Sequence, residues 1–170
     1  MMIHVCSLAK VDETVMKTGA ERLLSLLAAG TEVVRPASIA RENHLHLVMH
    51  DIAVAQEGMT MPGEEHVLNL LDFARRWDRV KPMVVHCYAG ISRSTASAYI
   101  IAAALAPKRD EVELAQTLRV LSPSATPNPR LIAVADALLE RNGRMIEAIE
   151  AIGRGADAFE GTPFVLKIDR

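Results

Sequence analysis

The chain has 170 residues, a length that fits one domain with a core of ordinary size. Hydrophobic residues make up 50% and charged residues 24%, with no low-complexity segment, which excludes disordered and fibrous classes. Nineteen Lys and Arg against 21 Asp and Glu give a formal charge of -2, so no overall positive field exists for nucleic acid or an anionic membrane, and any anion site must be local. Residues 1–6 carry neither a basic leader nor a long apolar run, so no export signal is expected. Residues 2–8 read as a short strand, and residues 12–18 as one or two helical turns with Asp12 in a capping position. Residues 21–28 admit two readings: a helix begun by a Thr18–Glu21 capping box, or a buried leucine-rich strand. Residues 31–36 are a connection, and the stretch from His44 to His50 alternates polar with apolar, as a half-buried strand does.

A loop with Gly58, Pro62 and Gly63 follows. Val67, Leu70, Leu71, Ala74 and Trp77 then lay an apolar stripe along a helix over 64–77. Residues 83–85 read as a short strand, and 93–105 is apolar nearly all round, as a central buried helix would be. No apolar stretch is long enough to span a bilayer. Asp110 with Glu113 opens a helix over 111–121, and residues 122–129 form a proline-broken loop. Asn128 before Pro129 caps a further helix that stops near Gly143, and Met145, Ile146, Ile149 and Ile152 mark one more. The tail, 159–168, reads as extended. Strands interleaved with helices predict an α/β fold over residues 1–170, a central sheet of about four or five strands flanked by helices, with no internal repeat.

Where the strand at 83–85 meets the buried helix stands His86-Cys87-Tyr88-Ala89-Gly90-Ile91-Ser92-Arg93-Ser94. The residues between Cys87 and Arg93 can curl into a half-ring whose backbone N–H groups point at one centre, a nest for phosphate oxygens. Gly90 permits the positive φ that the curl requires. The helix that follows adds unpaired N–H groups and the positive end of its dipole. The same field favours a thiolate at Cys87, making it a nucleophile at neutral pH. Arg93 offers a planar fork that holds two phosphate oxygens and follows them into a trigonal bipyramidal transition state. Ser94 is placed to donate its hydroxyl to the thiolate, and His86 to fix the loop by hydrogen bonds. Phosphate binding is thus assigned to Tyr88, Ala89, Gly90, Ile91, Ser92 and Arg93, and inorganic phosphate or sulfate is expected in the loop.

This stretch resembles the active-site loop of the cysteine-dependent protein tyrosine phosphatases, and its Ala-Gly-Ile-Ser-Arg-Ser wording is closest to the dual-specificity branch. The resemblance is dense over the loop and looser from Leu45 to Leu139. It implies a phosphotyrosine protein phosphatase II-like fold of the bacterial single-domain type and a general acid on a separate loop. Asp51 fits that role, since it closes the strand ending at His50, precedes a glycine-containing loop and lies near the family's usual separation from the cysteine. The family's strictest pattern has Trp-Pro before this Asp, where this chain has Met49-His50. Glu57 and Asp72 are rivals, but Asp72 sits on a helix beside Arg75 and Arg76, where a solvated ion pair is the ordinary role. The implied reaction passes through a cysteinyl-phosphate and needs no metal or organic cofactor. Its substrate is a phosphorylated protein or a small phosphomonoester, and neither nucleic acid nor membrane is a partner.

The remaining residues have plainer readings. Cys6 is expected as a core thiol, with a protective disulfide to Cys87 as the alternative, and two cysteines fit a cytoplasmic protein with free thiols. His44, His46 and His50 share a strand face by parity, which a solvated face explains as well as a metal does. Asn128 after Pro127 resembles a pair that supports the active-site loop in the dual-specificity branch, and helix capping explains it equally. Two other functions use the same loop: a phosphate-recognition module without turnover, and sulfur transfer or arsenate reduction. The retained Cys87, Arg93 and Asp51 oppose the first; the loop wording and the shortage of accessory thiols oppose the second.

Overall fold

The computed structural model describes residues 1–169. Four strands, β1 (Met2–Cys6), β2 (Arg22–Leu27), β3 (His44–Val48) and β4 (Met83–His86), run parallel, and β5 (Phe164–Lys167) joins antiparallel to β1. Their order is β3-β2-β4-β1-β5, the predicted α/β sheet. Six helices accompany it among the described residues: α1 (Val11–Thr18), α2 (Glu64–Arg75), α3 (Arg93–Leu105), α4 (Glu111–Leu121), α5 (Pro129–Leu138) and α6 (Arg144–Ile152).

Strand parity divides the core. Ile3, Val5, Leu24, Leu26, Leu47, Met83 and Val85 pack with α2 through α6 in the larger cluster. Cys6, Leu23 and Val84 turn the other way and pack beneath Val11 and Val15 of α1. Both faces being covered, β2 and β4 are almost wholly buried, which is why the leucines of 21–28 showed no strand alternation.

Several local expectations change. The Thr18–Glu21 capping box does not form: Thr18 Oγ1 donates to the Thr14 carbonyl and accepts from the Ala20 N–H, while Gly19 at φ +65° turns the chain out of α1. Residues 21–28 therefore become strand. Asp12 lies inside the first turn of α1, and the capping position belongs to Lys10. Helix α2 stops at Arg75, and Trp77 is buried beyond it, its indole N–H donating to the Lys81 carbonyl at 2.9 Å just before β4. The caps on α4 and α5 form as expected: Asp110 accepts from the Glu113 N–H, and Asn128 from the N–H groups of Arg130 and Leu131. No helix among the described residues is long and apolar enough to cross a membrane.

Because the four parallel strands point the same way, the segments after β1, β3 and β4 gather at one edge of the sheet, with β4 in the middle. A crevice outside the carboxyl ends of parallel strands is where such sheets bind ligands.

Candidate active site

Residues 87–92 link the buried end of β4 to the first turn of α3. Gly90 adopts φ +72°, and a Cβ there would lie 2.8 Å from the carbonyl carbon of Cys6 and 2.9 Å from the Ser7 nitrogen. The loop is therefore packed directly against the end of β1, where the Leu8 N–H donates to the Tyr88 carbonyl at 3.1 Å. Other outward carbonyls are also satisfied: Ala89 by the Gly161 N–H, Ile91 by the Thr126 N–H and Thr95 Oγ1, and Ser92 by the N–H groups of Ala96 and Asn128. The N–H groups of residues 88–92 donate to no acceptor among the described residues. Saturated carbonyls outside and unpaired N–H groups inside are the pattern of an anion nest, and the unpaired N–H groups of the first turn of α3 stand beside it.

Cys87 is 2% exposed, and its Sγ lies 3.1 Å from Ser94 Oγ. Arg93 is 8% exposed; Nη1 donates to the Met49 carbonyl at 3.0 Å, and its buried Nε has no partner. Met49 immediately follows β3, so the arginine is steered by the same segment that carries Asp51. His50 then closes the base of the next loop by exchanging hydrogen bonds with Thr60, which takes it off the face shared by His44 and His46. Asp51 Oδ1 accepts from Ser92 Oγ at 2.7 Å and from Asn128 Nδ2 at 2.8 Å. Asn128 thus performs both of its readings at once, capping α5 with its oxygen and holding Asp51 with its nitrogen. Of the rival acids, Asp72 pairs with Arg76 at 2.8 Å on the exposed face of α2, and Glu57 is exposed.

Beneath the loop runs a buried polar chain. His86 is wholly buried; its Nδ1 donates to the Cys87 carbonyl at 3.0 Å, which leaves Nε2 to accept from Ser25 Oγ at 2.6 Å. Ser25 in turn accepts from His44 Nε2 at 2.8 Å. Burial, with the charges of His44, His46 and Arg93 adding to it against the hydrogen bond to Cys87, lowers the His86 pKa to about 4, so the ring is neutral at pH 7. His86 thus links the Cys87 carbonyl to Ser25 on the neighbouring strand, a residue that no local spacing singles out. Cys6 faces α1 and is free, and burial pushes its thiol up to about 11. Among the described residues no group of three or more His, Cys, Asp or Glu is placed to hold a metal ion.

Residues 43–124 match the protein-tyrosine phosphatase family model. The chain is similar in structure to the PTP-2 phosphatase of Cydia pomonella, with 16% identity, 79% of this chain and 84% of that chain covered, and a TM-score of 0.62. It is similar to human DUSP28, with 17% identity, coverages of 89% and 95% and a TM-score of 0.60. It is also similar to PTPMT1 solved in complex with PI(5)P, with 13% identity, coverages of 88% and 93% and a TM-score of 0.63. Comparison with curated proteins finds no match. The matched region holds the loop and the segment that carries Asp51, and the sheet and helices around them share the fold of protein tyrosine and dual-specificity phosphatases.

Proposed function

We propose that the protein is a cysteine-based phosphomonoester hydrolase of the tyrosine or dual-specificity kind, working as one phosphatase domain in the cytoplasm. The observation that carries this reading is Arg93, a buried guanidinium with an unpartnered Nε at the mouth of a loop whose N–H groups are equally unpartnered. Burying a cation without a counter-charge is costly, and a phosphate dianion supplies opposite charge to Arg93 and acceptors to the loop N–H groups together.

In this reading Cys87 attacks phosphorus in line with the ester oxygen, and the P–O bond breaks as the S–P bond forms. Loop N–H groups and Arg93 hold the equatorial oxygens, and Asp51 gives its proton to the leaving oxygen. Ser92 and Asn128 both bond Oδ1 of Asp51, leaving Oδ2 to carry that proton. Ionised Asp51 then takes a proton from water as the water oxygen attacks phosphorus. The S–P bond breaks, and Ser94 Oγ–H stabilises the departing thiolate from 3.1 Å. Residues 88–92 include no lysine to meet additional phosphates, which favours a phosphorylated protein or small phosphomonoester over the phosphoinositide seen with PTPMT1.

Hydrolysis of p-nitrophenyl phosphate and a phosphotyrosine peptide by wild type, Cys87→Ser and Asp51→Ala, with and without chelator, tests the reading. Chelator-insensitive turnover is expected, reduced by at least about 10⁴-fold in Cys87→Ser and by about 10²- to 10⁴-fold in Asp51→Ala. An inert wild type that still binds the phosphopeptide makes the protein a recognition module instead.

A further inference from the structure

The match to the family model ends at residue 124, yet the chain after α6 returns to the phosphate loop. Arg119 clamps its start: Nη2 donates to the Gly153 carbonyl at 2.7 Å, and Nη1 to the Pro123 and Ala125 carbonyls at 2.8 Å. The Ala156 N–H donates to the Pro123 carbonyl at 2.9 Å and the Gly155 N–H to Thr126 Oγ1 at 3.1 Å. At the other end, the buried Ser7 donates its hydroxyl to Glu160, and the Gly161 N–H donates to the Ala89 carbonyl at 2.8 Å. Residues 153–161 thus form a strap along the outside of the loop, tied at both ends, before the chain enters β5.

In a planar trans peptide the C=O and N–H point opposite ways, so whatever holds a loop carbonyl outward aims the following N–H inward. His86 holds the Cys87 carbonyl at 3.0 Å, the Leu8 N–H that of Tyr88 at 3.1 Å, and the Thr126 N–H that of Ile91 at 3.0 Å. The two peptides between them, 89–90 and 90–91, fall to Gly161. Its N–H holds the Ala89 carbonyl and so aims the Gly90 N–H. The Gly90 carbonyl accepts from no donor among the described residues. What stands against it is Gly161 itself, where a Cβ would lie 2.6 Å from the Gly90 oxygen. Gly90, whose positive φ makes the curl, is therefore gripped between the end of β1 and the strap. Such a grip has a physical purpose: N–H dipoles that converge on one centre repel one another until an anion joins them, so the curl needs restraint from outside.

We propose that Gly161 is a positioning residue of the phosphate site, and that the strap is the restraint through which it aims the Gly90 and Ile91 N–H groups at the phosphoryl group. The proposal rests on the phosphatase reading above and deepens it. A methyl group at residue 161 displaces the Gly90 oxygen and turns both peptides away from the centre. The phosphoryl oxygens and the Cys87 thiolate then lose the same donors, although Gly161 touches neither.

The test compares wild type with Gly161→Ala, Ser7→Ala and Arg141→Met, the last a stability control whose lost bonds are to Glu111 and the Ala103 carbonyl. Calorimetry with inorganic phosphate, the pH dependence of Cys87 alkylation by iodoacetamide, and turnover of p-nitrophenyl phosphate are the readouts. In Gly161→Ala, phosphate affinity and kcat/KM are each expected to fall about 10- to 100-fold, and the Cys87 pKa to rise. Arg141→Met moves none of these in its folded fraction. Ser7→Ala frees Glu160 without changing charge and should weaken phosphate about 3-fold; it decides the matter if Gly161→Ala does not fold. Wild-type phosphate affinity and Cys87 pKa in the folded Gly161→Ala, or losses that Arg141→Met reproduces, overturn the proposal and leave the phosphatase reading standing. An inert wild type that binds phosphate removes turnover from that reading, and the affinity comparison still decides this one. Absence of both turnover and phosphate binding in wild type defeats the two together.

Discussion

Arg141 and Arg93 are 7% and 8% exposed, yet their surroundings are opposite. Arg141 lies where α3, α4 and the α5–α6 connection meet. It donates to Glu111 Oε1 at 2.7 Å and to the Ala103 carbonyl at 2.8 Å; Arg144 reaches the same carboxylate oxygen at 3.2 Å, and Tyr99 donates to the Glu111 carbonyl at 3.0 Å. Nearby, the Asp136 carboxylate accepts from the N–H groups of Gly143 and Met145. Arg93 has the Met49 carbonyl and an orphaned Nε. One arginine finds its anion within the chain and holds helices together. The other is held in place by a carbonyl and meets no carboxylate among the described residues.

The contrast is broken most forcefully by exchanging each arginine for a near-isostere. Arg93→Lys is expected to reduce kcat/KM by about 10²- to 10⁴-fold while urea unfolding shifts by no more than about 1 kcal/mol, since a point charge replaces the fork without disturbing the core. Arg141→Met should do the reverse. Leaving Glu111 buried without its main partner costs about 3–5 kcal/mol of stability, while kcat of the folded fraction stays at the wild-type value. Parallel losses of activity and stability in both variants would erase the distinction.

Acid sharpens it, because each region carries a different titrating group. The unfolded His86 ring takes up a proton near its ordinary value of 6.5, whereas the folded ring stays neutral down to about 4. Its contribution is fully present above pH 6.5 and is lost as pH falls toward 4, up to about 3 kcal/mol. Glu111 works lower. Burial opposes its ionisation, but hydrogen bonds from Arg141, its own backbone and Arg144 outweigh burial and hold the carboxyl below its ordinary value of 4.5. Its contribution is lost only as pH falls below that value. Urea unfolding across pH should therefore show a slope between pH 6.5 and 4 that flattens in His86→Asn, and a second slope below pH 4.5 that flattens in Glu111→Gln.

Legibility from sequence followed how local each feature is. The loop from Cys87 to Ser94 and the helices α2 to α5 announce themselves by spacing and caps, because their determinants are neighbours in the chain. β2 did not, since burial on both faces erases the alternation that marks a strand. Ser25 was invisible: its meaning depends on His44 and His86 from the two flanking strands. Asn128 was half legible, its cap being local and its bond to Asp51 not. Residues 153–161 carry no local signal either, because the backbones that Gly155 and Gly161 touch are distant in the chain.

The pairing of β1 with β5 joins the first strand to the last, and the Ile168 N–H donates to the Met1 carbonyl at 3.1 Å. On the ribosome, the loop around Cys87 emerges well before the segment that braces its outer rim. A nascent chain therefore completes the segment from Cys87 to Arg93 before residues 153–161 exist to pack against it. Contacts of such long separation also form late in refolding. Helix content should return first and the pairing of β5 with β1 last.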